Sequence, residues 1–382
     1  MKTTLIDVTK PSQADKAIEQ ADALLSQGGL VAFPTETVYG VAANVNRQDS
    51  LKRLSELKER PSNKPFTLHI GRNGQIHPFI PRLSPLNQAF LRKALPGPLT
   101  VVFSLNTEQQ EEIANSFSSD QIEALYYQNS IGIRFPNHPF SQQFLGSLAY
   151  PVVASSANRA GQSPQTSADE VLAELDGMVD LVLDGGKTRF AQASTVVRIT
   201  DDNLEILREG VLDAGVLKRL WSFNCLFVCT GNTCRSPMAE GLCKSYLAEL
   251  LDCPVDLLGE KGYNVNSVGI GAFGGSKASP EAIEVCQSQG IDISSQRSQP
   301  LTIDQVNKAD TIFTMSASHY DAIVSLAPQA ASKVALLAEK DIADPFGQPI
   351  ASYRQCAEEI ARAIRNQFEK LFSENNKKEA ML

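Results

Sequence analysis

The sequence predicts an α/β protein with two domains: one with a large twisted mixed sheet, then one with a small doubly wound parallel sheet. The chain has 382 residues, enough for two hydrophobic cores. All seven cysteines lie at or after Cys225, so the two parts of the chain differ in composition. Helix and strand patterns alternate along both parts, which is typical of α/β folds. We therefore predict domains over residues 1–215 and 222–375.

The first part of the chain begins with a helix pattern that Gly28 and Gly29 close, and a strand pattern follows directly. Short apolar runs bounded by Gly, Pro and polar residues then recur, which is typical of buried strands. The predicted helices span residues 14–26 and 50–59, and the predicted strands span residues 30–34, 66–70, 99–105, 131–135, 152–155, 181–184 and 195–200. This mixture predicts one large, mixed sheet covered by helices.

The second part alternates more regularly and begins with the apolar run Leu226-Phe227-Val228. Its predicted strands then span residues 265–268, 311–315 and 334–337, and its predicted helices span residues 237–250, 280–289 and a long final segment from Ile350. Regular alternation of this kind predicts a small parallel sheet whose active loop follows the first strand at its carboxyl end. The connection between the parts, Val211–Phe223, is not rich in Gly or Ser, so we expect it to be short and ordered.

Composition narrows the class of protein. The net charge of −8 disfavours a protein that coats nucleic acid generally, although one local basic groove is compatible with it. The odd number of cysteines, an amino terminus without a signal-like pattern and the lack of a long apolar run predict a cytoplasmic protein without a membrane anchor. Only the tail after Phe372, rich in Lys, Glu and Asn, is predicted to be disordered.

Residues 229–240 read CTGNTCRSPMAE and directly follow the apolar run. A cysteine at a strand end, facing backbone N–H groups and a helix N-terminus, is stabilised as a thiolate and becomes a nucleophile. Arg235 can offer two N–H groups to a phosphoryl group, and Ser236 can donate to the thiolate. Pro237 suits the first helical turn, where no N–H partner is needed. Residues 229–236, here called the cradle, therefore predict an oxyanion site with Cys229 as nucleophile.

The second part resembles the low-molecular-weight protein tyrosine phosphatase family from Asn224 to about Lys370. Three motifs carry the resemblance: the cradle, Ser267-Val268-Gly269 and Asp344-Pro345-Phe346-Gly347. The resemblance implies that Cys229 attacks phosphorus, Arg235 and loop amides hold the phosphoryl oxygens, and Asp344 protonates the leaving group before activating water. It implies a phosphoprotein substrate and no cofactor. The residues that it implies support the cradle are Asn232, Thr233, Cys234, Ser236 and Ser267.

Thr233 bears on which phosphoamino acid is hydrolysed. Tyrosine-specific members of the family usually carry a larger aliphatic residue there, whereas its protein arginine phosphatases carry Thr, so the resemblance favours phosphoarginine over phosphotyrosine. A tolerated small loop residue is the alternative interpretation. Cys234 can form a reversible disulfide with Cys229, as the family does, or can simply pack as a thiol. Arsenate reductase chemistry is disfavoured, because no further cysteine lies between Cys286 and Cys356.

Loops of the first part carry hydroxyl groups and cations beside the predicted strands. The segment FPTETVYG follows a buried strand, and KERPSNKP follows a helix pattern. Further segments of this kind are PGPLT at 96–100, GIRFP at 132–136, SSAN at 155–158, STVV at 194–197 and REG at 208–210. A site lined by Arg, Lys, Thr and Ser suits a polyphosphate and a small zwitterion better than covalent catalysis.

In this order the segments resemble the YrdC-like threonylcarbamoyl-AMP synthases over roughly residues 5–212. The resemblance implies that L-threonine, bicarbonate and ATP condense with release of pyrophosphate, and that Mg²⁺ bridges the phosphates. The adenylate is used to modify tRNA, so a tRNA-modification transferase and tRNA are implied partners. The residues implied to face ATP are Lys58, Arg60, Ser62, Lys64, Thr100, Ser156, Asn158 and Arg208. The residues implied to hold threonine or its carbamate are Thr35, His69, Arg134 and Ser194.

Three interpretations of the first part remain open, and we favour the first. The chain is a bifunctional enzyme, or its first part is an RNA-binding module, or the first part only regulates or scaffolds a protein tyrosine phosphatase. The intact cations Lys58, Arg60 and Arg208 favour an enzyme over an inactive domain. His69, in the strand FTLHI, has an equal alternative as a core histidine with a satisfied hydrogen bond.

Overall fold

The computed structural model describes residues 2–59, 66–200 and 203–373. Within these ranges the chain divides into two compact units: one contains residues 2–82 and 91–220, and the other contains residues 83–90 and 221–373. The predicted ATP-facing residues Arg60, Ser62 and Lys64 lie outside the described residues, as does the predicted disordered tail from residue 374.

The first unit is built on one mixed sheet. Its strands are β1 (Thr4–Asp7), β2 (Val31–Phe33), β3 (Gly40–Asn44), β4 (Thr67–His69), β5 (Leu99–Ser104), β6 (Tyr126–Tyr127), β7 (Ser130–Arg134), β8 (Val152–Ser156), β9 (Leu181–Asp184), β10 (Thr195–Ile199) and β11 (Leu204–Arg208). They lie in the order β1-β9-β2-β3-β8-β4-β7-β5-β10-β11, and β6 pairs with β7 outside this order. The predicted large mixed sheet is confirmed.

Helices and short 3-10 turns connect these strands. The helices before residue 221 are α1 (Pro11–Ser26), α2 (Gln48–Leu57), α3 (Pro85–Ala94), α4 (Thr107–Ala114), α5 (Ser119–Leu125), α6 (Pro139–Ser147), α7 (Ala168–Leu175) and α8 (Ala214–Leu220). Within the described ranges, 3-10 turns span Asn73–Gln75 and His77–Phe79 in the first unit and Val255–Leu257 and Pro328–Lys333 in the second. α1 begins three residues before the predicted helix, because Pro11 is tolerated in the first turn, and Gly28 at φ 87° follows its end.

Four strands of the large sheet were not predicted: β1, β3, β6 and β11. β3 reads GVAAN, and Gly and Ala are poor strand formers, but all five residues are buried between β2 and β8. β1 and β11 lie at the two edges of the sheet, where partly exposed residues give a weak apolar pattern. The predicted strands of this unit agree with the structure to within one residue at each end.

The second unit contains a four-stranded parallel sheet, which confirms the predicted small doubly wound fold. Its strands are β12 (Phe223–Cys229), β13 (Tyr263–Gly269), β14 (Thr311–Thr314) and β15 (Val334–Leu336), in the order β13-β12-β14-β15. Its helices are α9 (Arg235–Leu250), α10 (Pro280–Gln287), α11 (Ile303–Lys308), α12 (Ala317–Leu326) and α13 (Ile350–Ser373). Because β12 has β13 on one side and β14 on the other, its carboxyl end lies where the strand order reverses, the usual place for a ligand site.

Alternate residues of β12 enter different cores, as the two-residue period of a strand requires. Phe227 stacks on Phe313 with ring centroids 5.8 Å apart, in a cluster that includes Phe368 of α13. Leu226 joins a separate cluster with Ile323 of α12. The strand is therefore covered on both faces, and only its end can present side chains to a ligand. None of the helices in the described ranges combines the length and apolar character needed to cross a membrane.

Candidate active sites

Cys229 ends β12 and Arg235 begins α9, so the cradle is the turn that joins this strand to this helix. The buried Cys229 Sγ accepts from the backbone N–H of Asn232 at 3.2 Å and lies 3.0 Å from Ser236 Oγ. Asn232 has a φ of 52°, a left-handed conformation that Asn tolerates better than most residues. This conformation points its N–H at the sulfur. Two potential donors thus face the sulfur, as a nucleophilic thiolate requires.

Side chains from three elements hold the cradle in this shape. Asn232 Nδ2 donates to Ser236 Oγ and to Ser267 Oγ, each at 2.9 Å. Its Oδ1 accepts from the backbone N–H of Gln299 at 2.8 Å. Ser267 donates to Glu240 Oε2 at 2.7 Å. The structure thus brings the predicted residues Asn232, Ser236 and Ser267 together around the sulfur and adds Glu240, which the sequence interpretation did not single out.

Gly269, at the end of β13, approaches the cradle backbone very closely. A Cβ at this position would lie 2.5 Å from the Thr230 carbonyl oxygen and 2.8 Å from the Asn232 nitrogen. Real Cβ atoms do not come so near to backbone atoms, so the position requires glycine. The predicted motif Ser267-Val268-Gly269 therefore has two structural roles, since Ser267 holds Asn232 and Gly269 leaves room for the turn.

Arg235 extends from the first turn of α9 toward the loop that contains Asp344. Its Nη1 donates to the Ile342 carbonyl at 3.1 Å, and its Nη2 forms an ion pair with Asp344. Its Nε is buried and has no hydrogen-bond partner among the described residues. Arg235 is almost fully buried, whereas 47% of the Asp344 side chain is exposed. The guanidinium is thus held in place beside an acid that a substrate can reach.

Thr233 is half-buried and lines a cavity of about 730 Å³ next to the cradle. Phe346, two residues after Asp344, lines the same cavity, as do Lys277 and Glu284 beside and on α10. Thr233 is thus the cradle residue that borders this cavity.

Cys234 is a buried free thiol, and Cys229 is free as well. Cys234 Sγ lies 3.5 Å from both Ser279 Oγ and Tyr353 Oη. Burial, followed by the contact with Cys234, raises the pKa of Tyr353 to about 12. In this structure Cys234 packs as a thiol.

His319 of α12 contacts the cradle and was not identified from the sequence. Its Nε2 lies 2.9 Å from Thr230 Oγ1, and its Nδ1 lies 2.7 Å from Ser316 Oγ. Burial, followed by the nearby Arg235 guanidinium, lowers the pKa of His319. A lone histidine within a helix pattern gives no sequence signal of this role. The position of Glu240 does give a sequence signal, because it lies one helical turn after Ser236 within CTGNTCRSPMAE.

In the first unit, five neighbouring strands align several predicted residues. His69 on β4 pairs with Arg134 on β7, and Arg134 pairs with Thr100 on β5. Thr100 pairs with Val196 on β10, which pairs with Arg208 on β11. Directly paired residues of adjacent strands project to the same face of a sheet. The topology therefore collects predicted ATP-facing and threonine-facing residues on one face, although they lie far apart in the chain.

Thr100, Ser194 and Arg208 form one hydrogen-bonded group on this face. Thr100 Oγ1 lies 3.0 Å from Ser194 Oγ, and Arg208 Nη2 donates to the Ser194 carbonyl at 2.8 Å. Partial desolvation lowers the pKa of Arg208, although the residue as a whole is exposed. A cation and two hydroxyl groups are thus presented together.

Lys58, Ser156 and Asn158 form a second group. Lys58 follows α2 directly, and its Nζ donates to the backbone carbonyls of Ser156 at 3.1 Å and Asn158 at 2.7 Å. Asn158 Oδ1 accepts from the same Nζ at 3.0 Å. These contacts fix an ammonium group beside the end of β8, which is a suitable arrangement for neutralising a phosphate.

Arg134 and Glu36 form a buried ion pair, in which Arg134 Nη2 donates to Glu36 Oε1 at 2.9 Å and to Thr37 Oγ1 at 3.0 Å. Thr37 Oγ1 lies 2.9 Å from Thr35 Oγ1. Arg134 Nε and Glu36 Oε2 are buried without a hydrogen-bond partner in the described part of the chain. Glu36 was not among the predicted site residues, although it lies inside the quoted segment FPTETVYG.

His69 belongs to the same face but is held internally. Its Nδ1 lies 3.0 Å from the Thr67 carbonyl, and the edge of its ring meets Phe33 with centroids 5.9 Å apart. Burial, followed by the positive charge of Arg134, lowers the pKa of His69 to about 3. The ring is therefore neutral near pH 7. Because the Thr67 carbonyl can only accept, Nδ1 carries the proton and Nε2 is left as a neutral acceptor.

The described residues contain no group of three or more His, Cys, Asp or Glu that could hold a metal ion. The two units instead define a class: an α/β protein that carries a buried cysteine in an oxyanion cradle and, separately, a sheet face lined by cations and hydroxyl groups.

Comparisons with known proteins divide at the same place in the chain. A family model described as "Telomere recombination", which covers Sua5, YciO and YrdC, matches residues 23–210. A model described as "Low molecular weight phosphotyrosine protein phosphatase" matches residues 224–378. The chain belongs to the Sua5/YciO/YrdC family through its first part, and its second part matches the low-molecular-weight phosphotyrosine protein phosphatase model.

Individual relatives agree with this division. A threonylcarbamoyl-AMP synthase of Bacillus subtilis is 33% identical over 210 residues, which are 55% of this chain and 58% of that protein. The enzyme of the same name from Chromohalobacter salexigens is 33% identical over 179 residues, which are 47% of this chain and 90% of that protein. The chain thus spans little more than half the length of the first relative and most of the second.

Solved structures are similar to the second part. A low-molecular-weight protein tyrosine phosphatase from T. tengcongensis is 37% identical, with a TM-score of 0.35, and covers 39% of this chain and 99% of its own. The YwlE arginine phosphatase from Geobacillus stearothermophilus is 38% identical, with a TM-score of 0.35, and covers 40% of this chain and 94% of its own.

Proposed function

We propose that the protein is a bifunctional enzyme. Its first part makes threonylcarbamoyl-AMP from L-threonine, bicarbonate and ATP, and its second part is a cysteine-dependent protein phosphatase. The observation that carries the phosphatase proposal is the cradle itself, where two potential donors face Cys229 Sγ and Arg235 is ion-paired with Asp344. The observation that carries the synthase proposal is the cation-lined sheet face, together with family membership.

In the proposed phosphatase reaction, the Cys229 thiolate attacks phosphorus and the bond to the leaving group breaks. Arg235 turns from its pairing with Asp344 toward two phosphoryl oxygens, and the cradle amides bind the remaining charge. Asp344 gives its proton to the leaving atom. It then takes a proton from the water that hydrolyses the phosphocysteine, which restores the thiolate and releases phosphate. The exposure of the Asp344 side chain suits an acid that must meet both a leaving group and water.

We propose that phosphoarginine is preferred over phosphotyrosine. Thr233 lines the cavity beside the cradle, so its hydroxyl can bind a polar leaving group there. An aliphatic side chain at this position would fill part of that space and offer no hydrogen bond. Selection by one polar group near the leaving atom can amount to about tenfold or more in rate.

In the proposed synthase reaction, the protein supplies charge neutralisation and placement. Lys58, held by Ser156 and Asn158, would bind ATP phosphates. Arg208 on β11 and Thr100 on β5 would also bind ATP, on the same sheet face as Arg134. Arg60, Ser62 and Lys64 remain proposed ATP ligands from the sequence. Threonine or its carbamate would contact Thr35, His69, Arg134 and Ser194. Mg²⁺ bound with ATP would supply further charge neutralisation at the phosphates.

The adenylate would be passed to a tRNA-modification transferase, with tRNA as the final acceptor. ATP and tRNA are cytoplasmic, so we propose the same compartment for the protein.

Pyrophosphate release with and without L-threonine tests the synthase proposal directly. We expect release that requires threonine and bicarbonate and that changes little between low and moderate salt. If pyrophosphate release does not depend on threonine, or if the protein instead binds RNA with an affinity that falls steeply with salt, an RNA-binding first part is favoured. Absence of both, with phosphatase activity intact, would favour a regulatory domain.

A further inference from the structure

The hydrogen bonds beneath the cradle have a direction that two groups fix. The backbone N–H of Gln299 can only donate, so the side-chain oxygen of Asn232 accepts from it, and the Asn232 amide nitrogen must face the two serines. At the other end, Glu240 pairs through Oε1 with Lys244 at 2.5 Å. An ionised carboxylate can only accept. The chain of bonds between these two groups therefore has one consistent orientation.

Ser267 links Glu240 to Asn232 by one hydrogen bond on each side. Because Glu240 Oε2 accepts at 2.7 Å, Ser267 must donate its hydroxyl proton to it. The Ser267 oxygen can then accept from Asn232 Nδ2 at 2.9 Å. The side chain of Asn232 is thus held at three points, and its backbone keeps the left-handed turn that aims an N–H at Cys229 Sγ.

The direction of the Asn232 hydrogen bonds also determines where the Ser236 hydroxyl proton points. Asn232 Nδ2 donates to Ser236 Oγ at 2.9 Å, so the hydroxyl proton of Ser236 must point elsewhere. Its acceptors are Cys229 Sγ at 3.0 Å and the Val268 carbonyl at 3.3 Å. A thiolate is a charged acceptor and attracts the proton more strongly than a neutral carbonyl. Ser236 then stabilises the reactive form of Cys229.

We propose that Glu240 is a positioning residue of the phosphatase site. Its carboxylate accepts the Ser267 proton and leaves the Ser267 oxygen free to accept from Asn232, which secures the turn in which Asn232 and Ser236 donate to the nucleophilic sulfur. Glu240 touches neither the sulfur nor the phosphoryl position. It is buried at one helical turn from Ser236. The proposal rests on the proposed phosphatase function, because it assigns a role to the sulfur as nucleophile.

Glu240→Gln reverses the direction of the hydrogen bond to Ser267 without removing the side chain. Glutamine has one acceptor oxygen, and Lys244 can only donate, so Lys244 attracts that oxygen. The amide nitrogen then faces Ser267 as a donor and competes with Asn232. We expect iodoacetamide to alkylate Cys229 about tenfold more slowly than in the wild type at pH 6. The rate is measured by mass spectrometry of the peptide that contains Cys229.

The double variant Glu240→Gln/Lys244→Ala separates orientation from packing. Without Lys244, the glutamine oxygen can turn back to Ser267, so the alkylation rate is expected to recover to within about threefold of wild type. Lys244→Ala alone leaves the carboxylate in place and is expected to change the rate less than about twofold. A loss caused by disturbed packing would not be reversed by removing a second side chain.

Asp304→Asn is the matched control, because Asp304 pairs with Lys308 at the same helical spacing, away from the cradle. It should leave alkylation unchanged. A wild-type rate in Glu240→Gln, or a double variant as slow as Glu240→Gln, would overturn the proposal. If Glu240→Gln does not fold, Ser267→Ala cuts the same link, and an unchanged rate in that variant would overturn the proposal as well.

Alkylation reports on the sulfur and not on turnover. If the variants follow the expected order in alkylation but the wild type hydrolyses no phosphate ester, the proposed phosphatase function fails and the role of Glu240 stands. If phosphate esters are hydrolysed but alkylation ignores Glu240, only the positioning role fails.

Discussion

The cradle and the cation-lined sheet face are built in different ways. The cradle is one continuous turn between β12 and α9, and its supports Ser267 and Glu240 lie on the adjacent strand and the same helix. The sheet face collects residues from strands that are distant in sequence and adjacent only in the fold. Its buried pair, Glu36 and Arg134, leaves one polar atom on each partner without a hydrogen bond among the described residues.

This difference indicates what each site needs from a ligand. A covalent nucleophile must be held in its reactive geometry before substrate arrives, and the cradle side chains around Cys229 Sγ already do this. A site that neutralises polyphosphate can leave some of its groups to be satisfied by the substrate. The two sites should therefore respond separately, and differently, to substitution.

The largest expected effect is on the nucleophile. Cys229→Ser should reduce hydrolysis of an aryl phosphate by at least about a thousandfold, because a hydroxyl group in this setting is a far weaker nucleophile than a thiolate. Threonine-dependent pyrophosphate release should not change. Cys253→Ser is the matched control, since Cys253 is a half-buried free cysteine of the same unit. Equal activity in Cys229→Ser would mean that the cradle is not the reaction site.

A smaller loss is expected from the sheet face. Lys58→Ala should reduce threonine-dependent pyrophosphate release about a hundredfold, because a held cation contacting phosphate is worth a few kcal/mol. Phosphatase activity should persist. Lys52→Ala is the control, because Lys52 lies exposed on α2 and pairs only weakly with Glu56 at 4.0 Å. Loss of both activities in Lys58→Ala would break the separation between the two sites.

Specificity should change by a similar or smaller factor. Thr233→Ile should invert the preference between phosphoarginine and phosphotyrosine peptides, by about tenfold or more, because the polar contact disappears and the cavity beside it narrows. Hydrolysis of a simple aryl phosphate is the internal control and should survive. An unchanged ratio, or a wild-type preference for phosphotyrosine, would contradict the arginine proposal.

The smallest effect at neutral pH concerns His69. Burial, with the charge of Arg134 as the second cause, lowers its pKa to about 3, below the usual 6.5. The folded state then binds fewer protons than the unfolded state between these values. Stability should therefore fall as the pH decreases from 6.5, and less so in His69→Asn. Proton NMR of the four histidines should show one ring, absent in His69→Asn, that stays neutral down to about pH 4. Titration near 6.5 would place His69 in solvent.

The sequence predicts the two sites unequally for the same structural reason. A turn whose groups lie within eight residues is visible as a motif, so the sequence alone indicates roles for Cys229, Asn232 and Arg235. The contact of His319 with Thr230 depends on how α12 packs, and no local pattern encodes it. Glu36 lies in a recognised segment, but only the fold shows that it pairs with Arg134.

Strand prediction follows a similar rule. Strands with an apolar, β-branched run, such as β5 and β9, were located to within one residue. β3 was missed because its small residues have low strand propensity, and it exists because its neighbours bury it completely. Tertiary burial decided its conformation, and that information is not local to the segment.

The space at Gly269 limits how the cradle could be moved to another protein. A designer who grafts CTGNTCRS alone onto a new strand and helix would transfer the nucleophile and the arginine but not the neighbouring strand. Any residue other than glycine at the position of Gly269 would place its Cβ about 2.5 Å from the Thr230 carbonyl oxygen, which is too close. The smallest transferable piece is therefore two adjacent parallel strands and one helix, with glycine and serine fixed on the second strand.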